Sequence, residues 1–185
     1  MGGVRGFEGF GTILDAHPAM PDVADLRPGE PGMTQDDMRE RVVRLVFGGS
    51  RQRFDEFCQT VRDAVPPGTT AVIRGSCVTG ERWKDGAEFD ASGPGTSDID
   101  LTLVGGDVLN FFKVTGFFVP GVHSRPLSDD DPDIAPDLVP LRERLMAMAG
   151  RPVNIQGTRD IVKYLRGDLL GQPYLTLFEK PADPL

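Results

Sequence analysis

The sequence has few of the residues that build zinc or disulfide sites. Its 185 residues include two cysteines, Cys58 and Cys77, and two histidines, His17 and His123. Two thiols with no histidine near them in the sequence do not form a zinc site by themselves. We therefore expect both thiols to be reduced, as in a cytosolic protein, and both histidines to lie at the surface. For Cys77 we favour a place in the core over one in the wall of a pocket.

Long hydrophobic segments are also lacking. The sequence has no run of roughly 18 apolar residues, the length that a membrane-spanning helix needs. Residues 1–20 show no basic segment followed by an apolar one, the pattern of a secretory signal peptide. We expect a cytoplasmic protein, with secretion by a route that leaves no such signal as the remaining alternative.

Positive charge is scarce. Lysine and arginine total 20 against 28 acidic residues, which gives a formal net charge of −8 and an isoelectric point of about 4.7. Non-specific binding to DNA or RNA needs clustered basic residues over a broad surface, so this composition argues against it. A small basic patch around a triphosphate remains compatible with the charge. Walker A and G-x-S-x-G motifs are absent as well.

The composition and local patterns predict one α+β domain, a small mixed β-sheet flanked by helices, over residues 34–185. Residues 1–33 are rich in glycine, proline and aspartate and are expected to form a partly irregular arm. Residues 84–96 are predicted to form a flap or hairpin near a pocket, and residues 114–136 a long irregular segment. The predicted helices begin at Thr34, Ser50, Cys77, Asp107, Pro140 and Thr158, and the predicted strands span 69–74, 98–104, 152–156 and 175–178.

The most informative residues are Asp98 and Asp100, which lie two positions apart at the start of a predicted strand. Side chains alternate along a strand, so both carboxylates are expected on the same face. Two negative charges that close repel each other, and a hard divalent cation relieves the repulsion. The spacing therefore predicts a Mg²⁺ site, with a strand edge carrying two solvated acids as the alternative.

Gly75 and Ser76 follow the preceding predicted strand. Glycine lets a phosphate approach the backbone closely, and the serine hydroxyl and N–H can donate hydrogen bonds to it. A helix that begins directly after them would add further N–H donors. Alone, the pair would be read as an ordinary turn, but upstream of two acids it predicts phosphate binding.

Residues 74–76 (RGS), 79–80 (TG) and 97–101 (SDIDL), in this order, resemble the core signature of the DNA polymerase β-like nucleotidyltransferases. The resemblance covers roughly residues 69–105. Within it, residues 74–100 are similar to small bacterial nucleotidyltransferase domains. It implies a nucleotidyltransferase-like fold in which the glycine-serine turn contacts a triphosphate and the two aspartates hold metal ions. It also implies a third carboxylate on a later strand.

The matching position on the later strand is Asn154, which is neutral and cannot act as a general base. Glu88, Asp90 or Asp160 could supply the missing acid, or the site could work with two acids, or turnover could have been lost. Asn154 itself could hold a metal ion through its amide oxygen or orient a hydroxyl. An asparagine that bonds to a neighbouring loop is an equally good interpretation. An acidic run at residues 129–133 lacks the glycine and glutamate of an EF-hand loop and is expected to be a flexible loop.

Side chains that could contact an NTP are basic or aromatic. For the triphosphate the candidates are Arg74, Lys84, Arg159 and Lys163, although solvent exposure is the simpler account of each one. Trp83 could stack on a base or pack in the core.

The resemblance implies a Mg²⁺-dependent nucleotidyltransferase that moves an NMP from an NTP to a hydroxyl of a protein, an RNA end or a small molecule. The acidic composition favours a protein or small-molecule acceptor over long nucleic acid. The alternative is a catalytically degenerate nucleotide-binding or protein-interaction module of the same fold. A phosphohydrolase with a two-acid Mg²⁺ site is disfavoured, because no nucleophilic aspartate or histidine motif accompanies the pair.

Overall fold

The computed structural model describes residues 33–159 and 172–184. The predicted arm lies outside these ranges except for Met33, as do Asp160 and Lys163. The described residues form an α+β fold with a mixed six-stranded sheet, as predicted. Its helices are α1 (Gln35–Phe47), α2 (Arg51–Ala64), α3 (Ser76–Thr79) and α4 (Val139–Ala149), and its strands are β1 (Thr70–Arg74), β2 (Ile99–Val104), β3 (Phe117–Val119), β4 (His123–Ser124), β5 (Val153–Thr158) and β6 (Tyr174–Glu179).

Local capping sets the bounds of α1 and α2. The hydroxyl of Thr34 accepts a hydrogen bond from the N–H of Asp37, and the carboxylate of Asp37 accepts one from the N–H of Thr34. This capping box satisfies donors that the first turn of a helix leaves free. Gly48 ends α1 in the left-handed conformation, and Ser50 caps α2. The predicted starts of both helices are confirmed.

The strands follow the order β3-β4-β5-β2-β1-β6. β1 is antiparallel to β2, whereas β2 is parallel to β5. The carboxyl end of β1 and the amino ends of β2 and β5 therefore meet at the same end of the sheet. Residues that flank these three ends are brought together by the topology alone.

One face of the sheet packs into the hydrophobic core. Alternate residues of β2 (Ile99, Leu101 and Leu103) are buried in one cluster with residues of the neighbouring strands and of α1, α2 and α4. Phe47 anchors the helical side, because its ring packs edge-on against Phe54 and Phe57 with centroids 5.7 and 5.4 Å apart. Since side chains alternate, burial of these residues turns Asp98, Asp100 and Thr102 to the opposite face.

Two predicted elements differ from the structure. The helix expected over residues 77–83 ends at Thr79, because Gly80 takes the left-handed conformation, and a hairpin follows. The segment 114–136 is not wholly irregular, since it contains β3 and β4. Thr158 is the last residue of β5, and the helix predicted to follow it lies outside the described residues from position 160 on.

The segment 114–136 also buries a residue expected at the surface. His123 is only 6% exposed, since β4 pairs with β3 and with β5 and its ring stacks on Phe118. Among the described helices, none has the length and apolar character needed to cross a membrane.

Candidate functional site

The candidate site lies where three strand ends meet. The backbone register aligns Arg74 of β1 with Asp100 of β2, and Asp100 with Asn154 of β5. Neighbouring strands are about 4.8 Å apart, so aligned residues on one face contact each other. The three side chains form a row across the sheet, and Asp98 lies just before β2.

Asn154 connects the two aspartates. Its amide Nδ2 donates a hydrogen bond to Oδ2 of Asp98 at 2.6 Å and is 3.3 Å from Oδ1 of Asp100. One amide can reach both carboxylates only if they lie on the same side of the sheet, as the alternation of the strand predicts. The amide offers hydrogen-bond donors to the two acids without neutralising their charge.

Arg74 provides the nearest positive charge. Its Nη1 is 3.8 Å from Oδ2 of Asp100, and its Nη2 donates a hydrogen bond of 2.9 Å to Oε1 of Gln156. Gln156 is buried in β5, on the far side of β2, and fixes the guanidinium beside the acids. One arginine beside two aspartates leaves the group with a net negative charge.

The surroundings of Asp100 disfavour its negative charge. Burial raises the pKa of Asp100, and the neighbouring charge of Asp98 raises it further. The positive charge of Arg74 and the hydrogen bond from Asn154 act in the opposite direction but do not compensate. The ionised carboxylate is thus held in an unfavourable position, which a divalent cation would make favourable.

Gly75 has two reasons to be glycine. Its φ of +84° lies in a region that L-residues with side chains rarely adopt. A Cβ placed on it would also lie 3.2 Å from Oδ2 of Asp100. The backbone after β1 therefore passes directly over the carboxylate, which puts the start of α3 at Ser76 beside the two acids.

The short helix α3 is held in place by hydrogen bonds from Arg41 and by the buried side chain of Cys77. Arg41 donates hydrogen bonds to the carbonyls of Val78 and Thr79 at its carboxyl end. Cys77 is fully buried beneath the turn, as expected, and its thiol donates to the carbonyl of Arg74 at 3.3 Å. Burial, followed by the charges of Asp100 and Asp98, raises the pKa of Cys77 to about 12, so the thiol stays protonated at neutral pH.

A cavity of about 740 Å³ opens over the acids. This volume is in the range of pockets that bind small molecules. The hairpin after α3 supplies one part of its wall, and the segment after β4 supplies another. Its lining includes Arg74, Gly75, Ser76, Arg82, Trp83, Lys84, Glu88, Ser97, Asp98, Asp100, Ser128, Asp129, Asp130, Asn154 and Gln172.

The segment 128–130 was not expected in the site. Leu127 exchanges two backbone hydrogen bonds with Ile155, of 2.8 and 3.1 Å, and so lies beside the strand that carries Asn154. This bridge brings the next residues, Ser128 to Asp130, to the wall of the cavity. The acidic run at residues 129–133 was expected to be a flexible loop, and nothing in the sequence indicates the pairing of Leu127 with Ile155.

The three acids considered as replacements for a third carboxylate fall in different places. Glu88 lines the cavity. Asp90 does not reach the two aspartates, because it forms an ion pair with Arg151 at 3.0 Å. Asp160 lies outside the described residues. Within residues 33–159 and 172–184, no three histidine, cysteine or acidic side chains cluster closely enough to hold a metal ion.

Of the basic residues considered as triphosphate contacts, Arg159 lies far from the site and Lys163 is outside the described residues. Arg159 follows β5 at the end opposite Asn154, roughly 16 Å along the strand, and it is exposed. It is therefore not a triphosphate contact in this arrangement. Lys163 lies outside the described residues, and Lys84 lines the cavity.

The donor set fits Mg²⁺ bound together with a nucleotide. Mg²⁺ in nucleotide sites is held by one or two carboxylates and by phosphate oxygens and water. Asp98 and Asp100 supply the carboxylates, and the cavity leaves room for the other ligands. Because burial raises the pKa of Asp100, a divalent cation next to this carboxylate would be favourable.

Comparisons of the chain with protein-family models, with curated proteins and with solved structures gave no match. The interpretation of the site therefore depends on its own geometry and on the resemblance of residues 74–101.

Proposed function

We propose that this protein is a Mg²⁺-dependent nucleotidyltransferase that moves an NMP from an NTP to a hydroxyl acceptor. The observation that carries the proposal is the convergence of Asp98 and Asp100 with the Gly75-Ser76 turn in one cavity. Carboxylates for a metal and a glycine turn for phosphates are the two parts that nucleotidyl transfer requires in one place.

Each residue of the site has a role in this proposal. Asp98 and Asp100 would hold Mg²⁺, and Gly75 and Ser76 would bind the triphosphate through backbone N–H groups and the serine hydroxyl. Arg74 would offset the negative charge beside Asp100. When bound, Mg²⁺ neutralises phosphate charge and favours deprotonation of the attacking hydroxyl.

Asn154 orients the two carboxylates through its amide, and no acid at this position is available as a general base. This feature supports the second candidate function, a nucleotide-binding or protein-interaction module with the same fold but without turnover. The acceptor in the first candidate is a protein side chain or a small molecule in preference to long nucleic acid, because the chain carries a net charge of −8.

Calorimetric titration of ATP, GTP, CTP and UTP into the protein, with Mg²⁺ and with EDTA, tests the binding step. We expect heat of binding with Mg²⁺ and a large loss of affinity with EDTA. Incubation with α-labelled NTP and candidate acceptors then tests transfer, because the label moves to the acceptor with the NMP while unlabelled pyrophosphate is released. A folded protein that binds no NTP under either condition would exclude both nucleotide-dependent functions and leave an interaction module.

The variant Asn154→Asp separates an active site from a degenerate one. A third carboxylate beside Asp98 and Asp100 is expected to tighten Mn²⁺ or Mg²⁺ binding about tenfold or more. Three like charges in one place are also expected to lower the melting temperature of the metal-free protein. Asn110→Asp makes the same chemical change at an exposed position and should alter neither quantity.

If Asn154→Asp tightens metal binding and also speeds transfer, the wild-type site is limited by the missing carboxylate. If it tightens metal binding and leaves transfer undetectable, the module without turnover is favoured. Unchanged metal affinity would show that the side chain at position 154 does not face the metal.

A further inference from the structure

Trp83 is the one tryptophan of the sequence, and 59% of it is exposed. Tryptophan has a large apolar surface and is highly buried on average in folded proteins. The alternative raised by the sequence, packing of Trp83 in the core, is therefore wrong. An exposed indole offers a large apolar face that a bound ligand can contact.

The backbone that presents Trp83 is fixed by hydrogen bonds that do not involve its side chain. The N–H of Arg82 donates to the carbonyl of Ala87 at 2.7 Å, and the N–H of Gly86 donates to the carbonyl of Arg82 at 2.8 Å. A bridge between Glu81 and Glu88 closes the base of the same hairpin.

Asp85 stabilises the tip of this hairpin by accepting two hydrogen bonds from other residues of the hairpin. Its carboxylate accepts hydrogen bonds from the N–H of Ala87 at 3.2 Å and from Nε of Arg82 at 2.9 Å. The bond from Ala87 lowers the pKa of Asp85, and Arg82 lowers it further, so the carboxylate is ionised at neutral pH. The tip thus holds Trp83 and Lys84 in place before any ligand is bound.

Trp83 lies between two cavities. It lines the cavity of about 740 Å³ that contains the two aspartates, and it also lines a second one of about 330 Å³. The second cavity is bounded by Arg41, Thr79, Glu81 and Pro173 together with Arg82 and Trp83. Trp83 and Arg82 line both, so the hairpin forms the partition between them. A planar ring is thereby exposed at the edge of the space in which the proposed nucleotide would sit.

We propose that Trp83 stacks on the nucleobase of the bound nucleotide. This inference rests on the proposed function, since it takes the phosphates to lie at Asp98, Asp100 and the Gly75-Ser76 turn. Every base has a π-face, so stacking contributes affinity with little choice among the four bases. The pre-formed hairpin keeps the ring in position, which reduces the entropy lost when the base binds.

The single tryptophan makes the inference directly measurable. We expect Mg²⁺-ATP and the other three Mg²⁺-NTPs to change the intrinsic fluorescence of the protein, because a stacked base alters the surroundings of the indole. Mg²⁺-tripolyphosphate carries the phosphates without a base and is expected to bind by calorimetry without that change in fluorescence.

Variants of Trp83 measure how much its ring contributes to the affinity for NTP. Trp83→Ala should weaken NTP binding about tenfold to a hundredfold and leave tripolyphosphate binding unchanged, while Trp83→Phe keeps a ring and should lose less. Phe118→Ala is the matched control, because Phe118 is 60% exposed and lies outside the lining of both cavities. It should not affect NTP binding.

The outcomes separate this inference from the proposed function. Calorimetric binding of Mg²⁺-NTP with no change in fluorescence, and with equal affinity in Trp83→Ala, would overturn the stacking role and leave the nucleotide site in place. Absence of NTP binding to a folded wild-type protein would overturn both. Circular dichroism and the melting temperature of Trp83→Ala check that the variant is folded.

Discussion

Replacing Asp100 with asparagine is expected to weaken Mg²⁺-dependent NTP binding by at least about 100-fold and to stabilise the metal-free protein. The loss of binding follows from the removal of one of the two carboxylates that are proposed to hold Mg²⁺. Outer-shell groups of metal sites typically contribute about 10- to 100-fold in affinity, and a direct ligand contributes more.

The gain in stability has a separate cause. Burial and the charge of Asp98 raise the pKa of Asp100 above its usual value of 3.8. A carboxyl group with a raised pKa in the folded state favours folding in its protonated form, and this contribution is lost as the pH rises above 3.8. At neutral pH the ionised Asp100 therefore destabilises the metal-free protein, and a neutral amide of the same shape does not.

Differential scanning fluorimetry in EDTA and calorimetric titration of Mg²⁺-ATP measure the two effects on the same preparation. Asp133→Asn removes an exposed acid that does not line the cavity, and it should change neither the melting temperature nor NTP binding. A lower melting temperature for Asp100→Asn would mean that its contact with Arg74 is structural. If Asp100→Asn binds Mg²⁺-ATP with the affinity of the wild type, Asp100 is not a ligand of the metal.

The second large effect is expected at Asp90, where Asp90→Asn should destabilise the fold by about 3 to 5 kcal/mol. Asp90 accepts two hydrogen bonds from Arg151, of 3.0 and 3.2 Å, and further ones from the N–H groups of Gly95 and Ser97. The side chain of Arg151 is only 7% exposed and stacks on Phe89. Without the aspartate its positive charge would remain buried without a negative partner.

Chemical denaturation by urea measures this loss as a fall in the midpoint without a change in slope. Combining Asp90→Asn with Arg151→Met removes both charges and should recover part of the stability, because two neutral groups avoid the uncompensated charge. Glu40→Gln breaks the exposed pair of Glu40 with Arg51 and should cost less than about 1 kcal/mol. An equal cost for Asp90→Asn and Glu40→Gln would contradict the structural role of Asp90.

The same residue makes stability depend on pH in the acid range. Burial acts to raise the pKa of Asp90, but hydrogen bonds from Arg151, Gly95 and Ser97 outweigh it and lower the pKa to about 2. The resulting stability is fully present above the unfolded pKa of 3.8 and is lost as the pH falls through 2. The difference between the wild type and Asp90→Asn should therefore shrink between pH 4 and pH 2.

Local signals predicted much of the secondary structure. The capping residues Thr34 and Ser50, the left-handed Gly48 and the short apolar runs of the sheet act within a few residues, so the sequence contains their physical cause. Elements that depend on distant partners were missed. β3 and β4 exist because they add to the edge formed by β5, and the burial of His123 follows from that pairing.

The candidate site divides in the same way. The two-residue spacing of Asp98 and Asp100 predicted their common face, because alternation is a property of the strand itself. The resemblance matched Asn154 to the position of the third carboxylate on a later strand, and the contact of its amide with both acids agrees with that match. Asp90 could not be separated from the other acids by sequence, since its partner Arg151 lies 61 residues away. Its role in the structure is to hold the 90–97 loop.

The sequence by itself determined the mixed α+β class, the starts of its first two helices and the common face of Asp98 and Asp100. Those features depend on backbone conformation and hydrogen bonds between near neighbours. Only the tertiary structure decided that one amide spans both acids, that Asp90 is paired with Arg151, and that Trp83 is presented between two cavities. Each of these depends on strand register or on contacts between distant segments, and no pattern within a few residues encodes them.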